Sequence, residues 1–143
     1  MRLLLAFLIL NALAACSTTQ LPLSYSPQSV GMPAYGPALA ASVSAVDQRG
    51  ESARNPKLVG AIRGGFGNRL KQRETDRPVA EVAADTVREA LHARGMLGAV
   101  DAPYKFQVTI ETLNSSQYVR REAKALLRLA WVRQTDGRPA FTN

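Results

Sequence analysis

The chain opens on an unbroken apolar run over residues 3–10, behind one positive charge at Arg2. Residues 17–41 follow with no charged side chain, no helical or strand period, and prolines at 22, 27, 33 and 37. That stretch is expected as an extended tether, semi-rigid where proline is dense. Patterned sequence begins with SVSAVD at residues 42–47, whose polar–apolar alternation predicts a short strand that Gln48, Arg49 and Gly50 close. Residues 49–77 form the basic part of the chain and are expected as a mobile, hairpin-like loop with a solvated basic face. Over residues 78–94 the period changes. Val79, Val82, Ala83, Val87, Ala90 and Leu91 recur at spacings of three and four, with Glu81, Asp85, Arg88 and His92 opposite. Pro78 suits a first helical position, Thr75 and Asp76 are candidate caps, and Gly95 is the expected stop.

Two further strands are predicted behind the helix. YKFQVTIETL at residues 104–113 places Phe106, Val108 and Ile110 on one face and Lys105, Gln107, Thr109 and Glu111 on the other. Asn114, Ser115 and Ser116 read as a bend. REAKALLRLAWVRQ at residues 121–134 puts Ala123, Ala125, Leu127, Leu129 and Trp131 on one face. Alanine and leucine also suit a helix, but the Asp136-Gly137 pair that follows is a hairpin turn and favours a strand. Trp131 is then expected in the core beneath the helix. Residues 139–143 begin a returning strand whose short edge leaves sheet hydrogen-bonding groups open to another chain or to the tether. The predicted class is α+β: a small antiparallel sheet with one amphipathic helix packed on it, behind a signal peptide and flexible tether.

Composition narrows the chemistry. A chain of 143 residues holds one domain, and its single cysteine rules out an internal disulfide and a thiolate metal cluster. The net charge is +7, and removal of Arg2 with a signal would leave +6. In an exported protein this points away from nucleic acid and toward anionic headgroups, glycans or an acidic partner, with solubility as the plain alternative. The basic excess collects where Arg63, Arg69, Lys71 and Arg73 surround Gly60, Gly64, Gly65 and Gly67. Glycines beside arginines are able to present backbone amides to an anion. Arg63, Gly64, Gly65, Gly67, Arg69 and Lys71 are therefore the candidate anion-binding residues, within loop 57–73. The lysine–serine or lysine–threonine pair of a nucleotide phosphate loop is absent there. His92 is the sole histidine, and Asp47, Asp85 and Glu111 fall singly. Neither a nucleophile with a base nor a metal-ligand spacing emerges, so no enzymatic activity and no cofactor or metal is expected.

The opening run ends in Leu13, Ala14, Ala15 and Cys16. A positive start, an apolar core shorter than the roughly 20 residues of a spanning helix, and small residues before the cleavage point are the layout of a secretory signal. LAAC resembles the lipobox of bacterial lipoproteins. That resemblance implies a diacylglyceryl thioether on Cys16, cleavage before it and acylation of its amine. Several acyl chains hold a protein at the membrane permanently. Ser17 in place of aspartate implies carriage to the outer membrane, facing the periplasm. An ordinary signal peptide with a chance cysteine is the alternative. Residues 1–15 are then the signal, 16–41 the lipidated cysteine and tether, and 42–143 the periplasmic domain.

The lipobox, the strand SVSAVDQR, the helix ending EALHARG and the strand pair from Tyr104 onward together resemble the YajG-like family of bacterial lipoproteins. The similarity spans roughly residues 42–135. It implies a periplasmic α+β domain on a lipid anchor with no established enzymatic activity. Family members continue with a full strand and a further helix past the point where this sequence stops. The expected role is non-catalytic binding of an envelope protein partner, with binding of anionic lipid or glycan through loop 57–73 as the alternative.

Overall fold

The computed structural model describes residues 17–22, 38–50, 54–98 and 100–142. Its frame is one seven-stranded sheet: β1 (Ser17–Leu21), β2 (Ala40–Asp47), β3 (Leu58–Arg63), β4 (Arg69–Thr75), β5 (Tyr104–Gln117), β6 (Arg121–Arg133) and β7 (Pro139–Thr142). Among the described residues the one helix is α1 (Val79–Ala93), between β4 and β5 in the chain. The spatial order is β1-β4-β3-β5-β6-β7, with β2 also paired to β5.

The predicted antiparallel sheet is in fact mixed. Strands joined by short turns, β3–β4, β5–β6 and β6–β7, pair antiparallel. The pairs β1–β4, β2–β5 and β3–β5 are parallel. Parallel neighbours require a long crossover, and the chain between β2 and β5 supplies one in β3, β4 and α1. Two other expectations change. Within the expected tether, Ser17–Leu21 forms β1 against β4, and Leu21 packs on the core. Ala40, at the far end of that stretch, is wholly buried at the start of β2. Residues 23–37 lie outside the described residues. The basic loop is a hairpin of two strands, because Leu58, Val59 and Ala61 bury beside β5 and draw the polar β4 along by backbone pairing.

The helix follows its periodicity. Val79, Val82, Ala84 and Leu91 are buried on it. Its start uses backbone rather than the expected side-chain caps: Val79 N–H donates to Pro56 O at 3.0 Å. Its end is a Schellman closure around Gly95 (φ 67°), with Met96 N–H donating to Leu91 O and Gly95 N–H to His92 O. The helix lies over β2 and β5, where Val43, Phe106, Val108 and Ile110 form the core floor. Val108 and Ile110 are fully buried, and each such side chain contributes about 1.5–3 kcal/mol. Trp131 stands beside them, edge-on to Phe106 with ring centroids 4.9 Å apart.

β5 runs straight through Asn114, Ser115 and Ser116, where a bend was expected. Small side chains here serve contact. A Cβ on Gly60 would lie 1.9 Å from Ser115 O, so β3 reaches β5 only through a glycine. The real turn is at residues 118–120, and Gly137 (φ 67°) closes the β6–β7 turn as predicted.

Candidate functional site

One edge of β5 is shared by two strands. β2 pairs with its first half as far as Ile110, and β3 pairs from Ser115 onward. Asp47 and Arg49 occupy the fork between them. Arg49 Nε and Nη2 donate to the two Asp47 carboxylate oxygens at 2.8 and 2.6 Å. Nη1 donates to Leu58 O at 2.6 Å and Leu113 O at 3.2 Å. Both side chains are about nine-tenths buried. The planar guanidinium thus replaces strand pairing where neither β2 nor β3 reaches β5. This is a structural plug, and the sequence reading placed Asp47 at a strand end without seeing its partner. An acid and an arginine two residues apart at a strand's end is the signal that was there to find.

The predicted anion-binding residues gather at the β3–β4 turn, though not as an amide cradle. Arg63 is in register with Arg69, and Ile62 with Lys71. Gly64 N–H donates to Asn68 O and Gly67 N–H to Gly64 O, both at 2.9 Å. Arg63 Nη1 donates to Gly67 O at 3.0 Å. The amides of Gly64 and Gly67 therefore close the turn itself, and what the turn presents outward is cationic side chains. Gly65 accepts a hydrogen bond from Tyr118 Oη at 2.5 Å, which ties this turn to the β5–β6 turn. Phe66 at the apex is completely exposed, and Val119 is 89% exposed.

The other titratable candidates stand apart. His92 is exposed on the helix. Glu111 pairs with Arg128 across β5 and β6 at 2.5 Å. Asp85 holds Arg77 at 2.6 Å and also Arg88. Hydrogen bonds from those two arginines keep its carboxyl below the ordinary aspartate range, and the same contact raises Arg77. Among the described residues, no three His, Cys, Asp or Glu side chains converge. An open depression of about 370 Å³ beside Tyr104, Pro103, Asp101, Arg133 and Gln134 lies at the opposite end of the sheet from the two turns. None of the described helices is long and apolar enough to cross a membrane.

β6 presents a long open edge. β5 lines one of its edges from Arg121 to Arg133, whereas β7 covers the other only at Ala130, Trp131 and Val132. Residues 121–128 are all exposed, including Leu126 at 55% and Leu127 at 46%. Ala123, Ala125 and Leu127 continue the apolar face of Leu129 and Trp131, yet only the last two pack on the core. Length explains this. A helix of 15 residues reaches about 22 Å, whereas a strand of 13 residues reaches about 43 Å. The helix cannot cover the strand.

The lipidation residues Leu13, Ala14, Ala15 and Cys16 lie outside the described residues. No protein-family model and no curated protein matches the chain. Among solved structures, the chain resembles the crystal structure of protein XCC0632 from Xanthomonas campestris, described under the family DUF330. The likeness has a TM-score of 0.54 at 16% identity and covers 89% of this chain and 74% of that one. At that identity the likeness is one of fold alone.

Proposed function

We propose that this protein is a lipid-anchored envelope protein that binds a protein partner without catalysis, the partner adding a strand along the open edge of β6. The supporting observation is that edge, where both faces and the outer rim of residues 121–128 are exposed. Backbone groups along a free edge are ready acceptors for another strand. Exposed Ala123, Ala125 and Leu127 on one face and Leu126 on the other offer apolar side chains to such a strand. The lipobox at Leu13, Ala14, Ala15 and Cys16 supports the anchor, and Ser17 supports placement at the outer membrane facing the periplasm. The resemblance to the YajG-like lipoproteins agrees with a lipid anchor and a periplasmic domain.

Two variants test the reading. Cys16→Ala removes the thiol that carries the lipid. It should abolish palmitate labelling and release the protein from the membrane fraction, and retained labelling would overturn the anchor. The pair Ala125→Lys with Leu127→Lys places cations on the exposed apolar face. It should remove the protein's co-isolated partner while leaving its melting temperature within a few degrees. A partner retained by that variant would overturn the edge as the binding surface.

A further inference from the structure

Three features share one end of the sheet. β3 runs parallel to β5 with Ile62 opposite Gln117, so the β3–β4 and β5–β6 turns emerge together, joined by the Tyr118–Gly65 hydrogen bond. β1 runs parallel to β4 with Ser17 opposite Lys71, so the chain enters the fold from that same end. Among the described residues, Arg63, Arg69, Lys71, Arg120 and Arg121 stand there, and Arg120 binds the carboxylate of Glu122 at 2.8 Å. Phe66 and Val119 project from the two apices almost without contact, at 101% and 89% exposure. An exposed aromatic and a valine ringed by cations match the interface of an anionic bilayer, where apolar tips enter the acyl boundary and cations meet phosphates.

We propose that this end of the sheet docks on an anionic lipid bilayer, with Phe66 and Val119 inserted and Arg63, Lys71 and Arg121 on the headgroups. The membrane's proximity rests on the lipid-anchor reading: Cys16 directly precedes Ser17, so its acyl chains would enter the bilayer beside the docked turns. Strands that start at this end then stand away from the membrane, and the open edge of β6 runs outward from its surface.

Depth-dependent quenching tests this on the mature lipidated protein. Cys16 is the only native cysteine, so Phe66→Cys, Val119→Cys and the helix-surface control Glu89→Cys each offer one free thiol for a fluorophore. Each is reconstituted in phosphatidylcholine vesicles containing one part in five phosphatidylglycerol, with nitroxide lipid as quencher. Probes at 66 and 119 should be quenched and blue-shifted, and the probe at 89 should stay in water. Adding Arg63→Gln, Lys71→Gln and Arg121→Gln should lower the docked-to-undocked ratio about fivefold per charge, and omitting phosphatidylglycerol should lower it likewise. Probes at 66 and 119 that stay in water on vesicle-bound protein would overturn the proposal, as would quenching indifferent to both changes. A free thiol at Cys16 on protein whose tips are quenched would overturn the anchor and leave the docking surface standing. Lipid on Cys16 with both tips in water would do the reverse.

Discussion

Removing the carboxylate of Asp47 should be among the most damaging single changes available in this fold. Asp47→Ala leaves Arg49 about nine-tenths buried between Leu58 O and Leu113 O without the bidentate partner that neutralises it. Breaking one side of a buried ion pair costs about 3–5 kcal/mol, since the other charge remains desolvated. A small domain has only about 5–15 kcal/mol in total. With a urea dependence of about 1.5 kcal/mol per molar, the midpoint should fall by about 2–3 M. Trp131 is a convenient reporter, because it is the only tryptophan and lies edge-on to Phe106 in the core. Arg49→Lys should recover little, because an ammonium cannot span the carboxylate and two carbonyls with a planar fork. The paired change Asp47→Leu with Arg49→Met should cost clearly less than the two single losses added together. A midpoint within about 0.3 M of wild type for Asp47→Ala would refute the view that this pair holds the fork between β2 and β3.

Gly60→Ala should destabilise severely or prevent folding, because its Cβ would meet Ser115 O at 1.9 Å; thermal melting checks this, and a melting temperature within a few degrees of wild type would mean β3 does not approach β5 there. Asp85 sits low in pKa beside Arg77 and Arg88, so its stabilisation is present above the ordinary aspartate range and fades as pH falls through its own, lower titration. A carboxyl NMR titration should show Arg77→Gln moving the Asp85 midpoint upward, and the melting-temperature advantage of wild type over Asp85→Asn should shrink with acid.

Where burial set the side-chain period, the sequence was readable. The helix, β2 and the face of Phe106, Val108 and Ile110 follow from alternation or three-four spacing because one face of each meets the core; β6 meets it only at Leu129 and Trp131 and was legible through its alternation and the Asp136-Gly137 turn. β1 and β4 were opaque for the opposite reason. RLKQRET has one apolar residue in seven, and STTQL is short and polar, so both are strands by backbone pairing with neighbours. β3 did carry a signal in the apolar run LVGAI, which the surrounding glycines and arginines obscured. Parallel pairing was unreadable because it is set by crossovers spanning tens of residues, and local sequence speaks only to local turns. The candidate cations at Arg63, Arg69 and Lys71 were identified and do meet at one turn. The amides of Gly64 and Gly67 answer to the turn's own carbonyls, and their neighbours Phe66, Tyr118 and Val119 were missed because they come together only through the parallel β3–β5 register.

Photo-crosslinking in living cells, one position at a time, tests for a partner strand along β6. A photoreactive residue is placed at Glu122, Lys124, Leu126 or Arg128, and at Glu89 and His92 on the exposed helix surface as controls. The β6 positions should capture one discrete protein and the helix positions should not. Equal capture from strand and helix, or capture from the helix alone, would contradict pairing along β6.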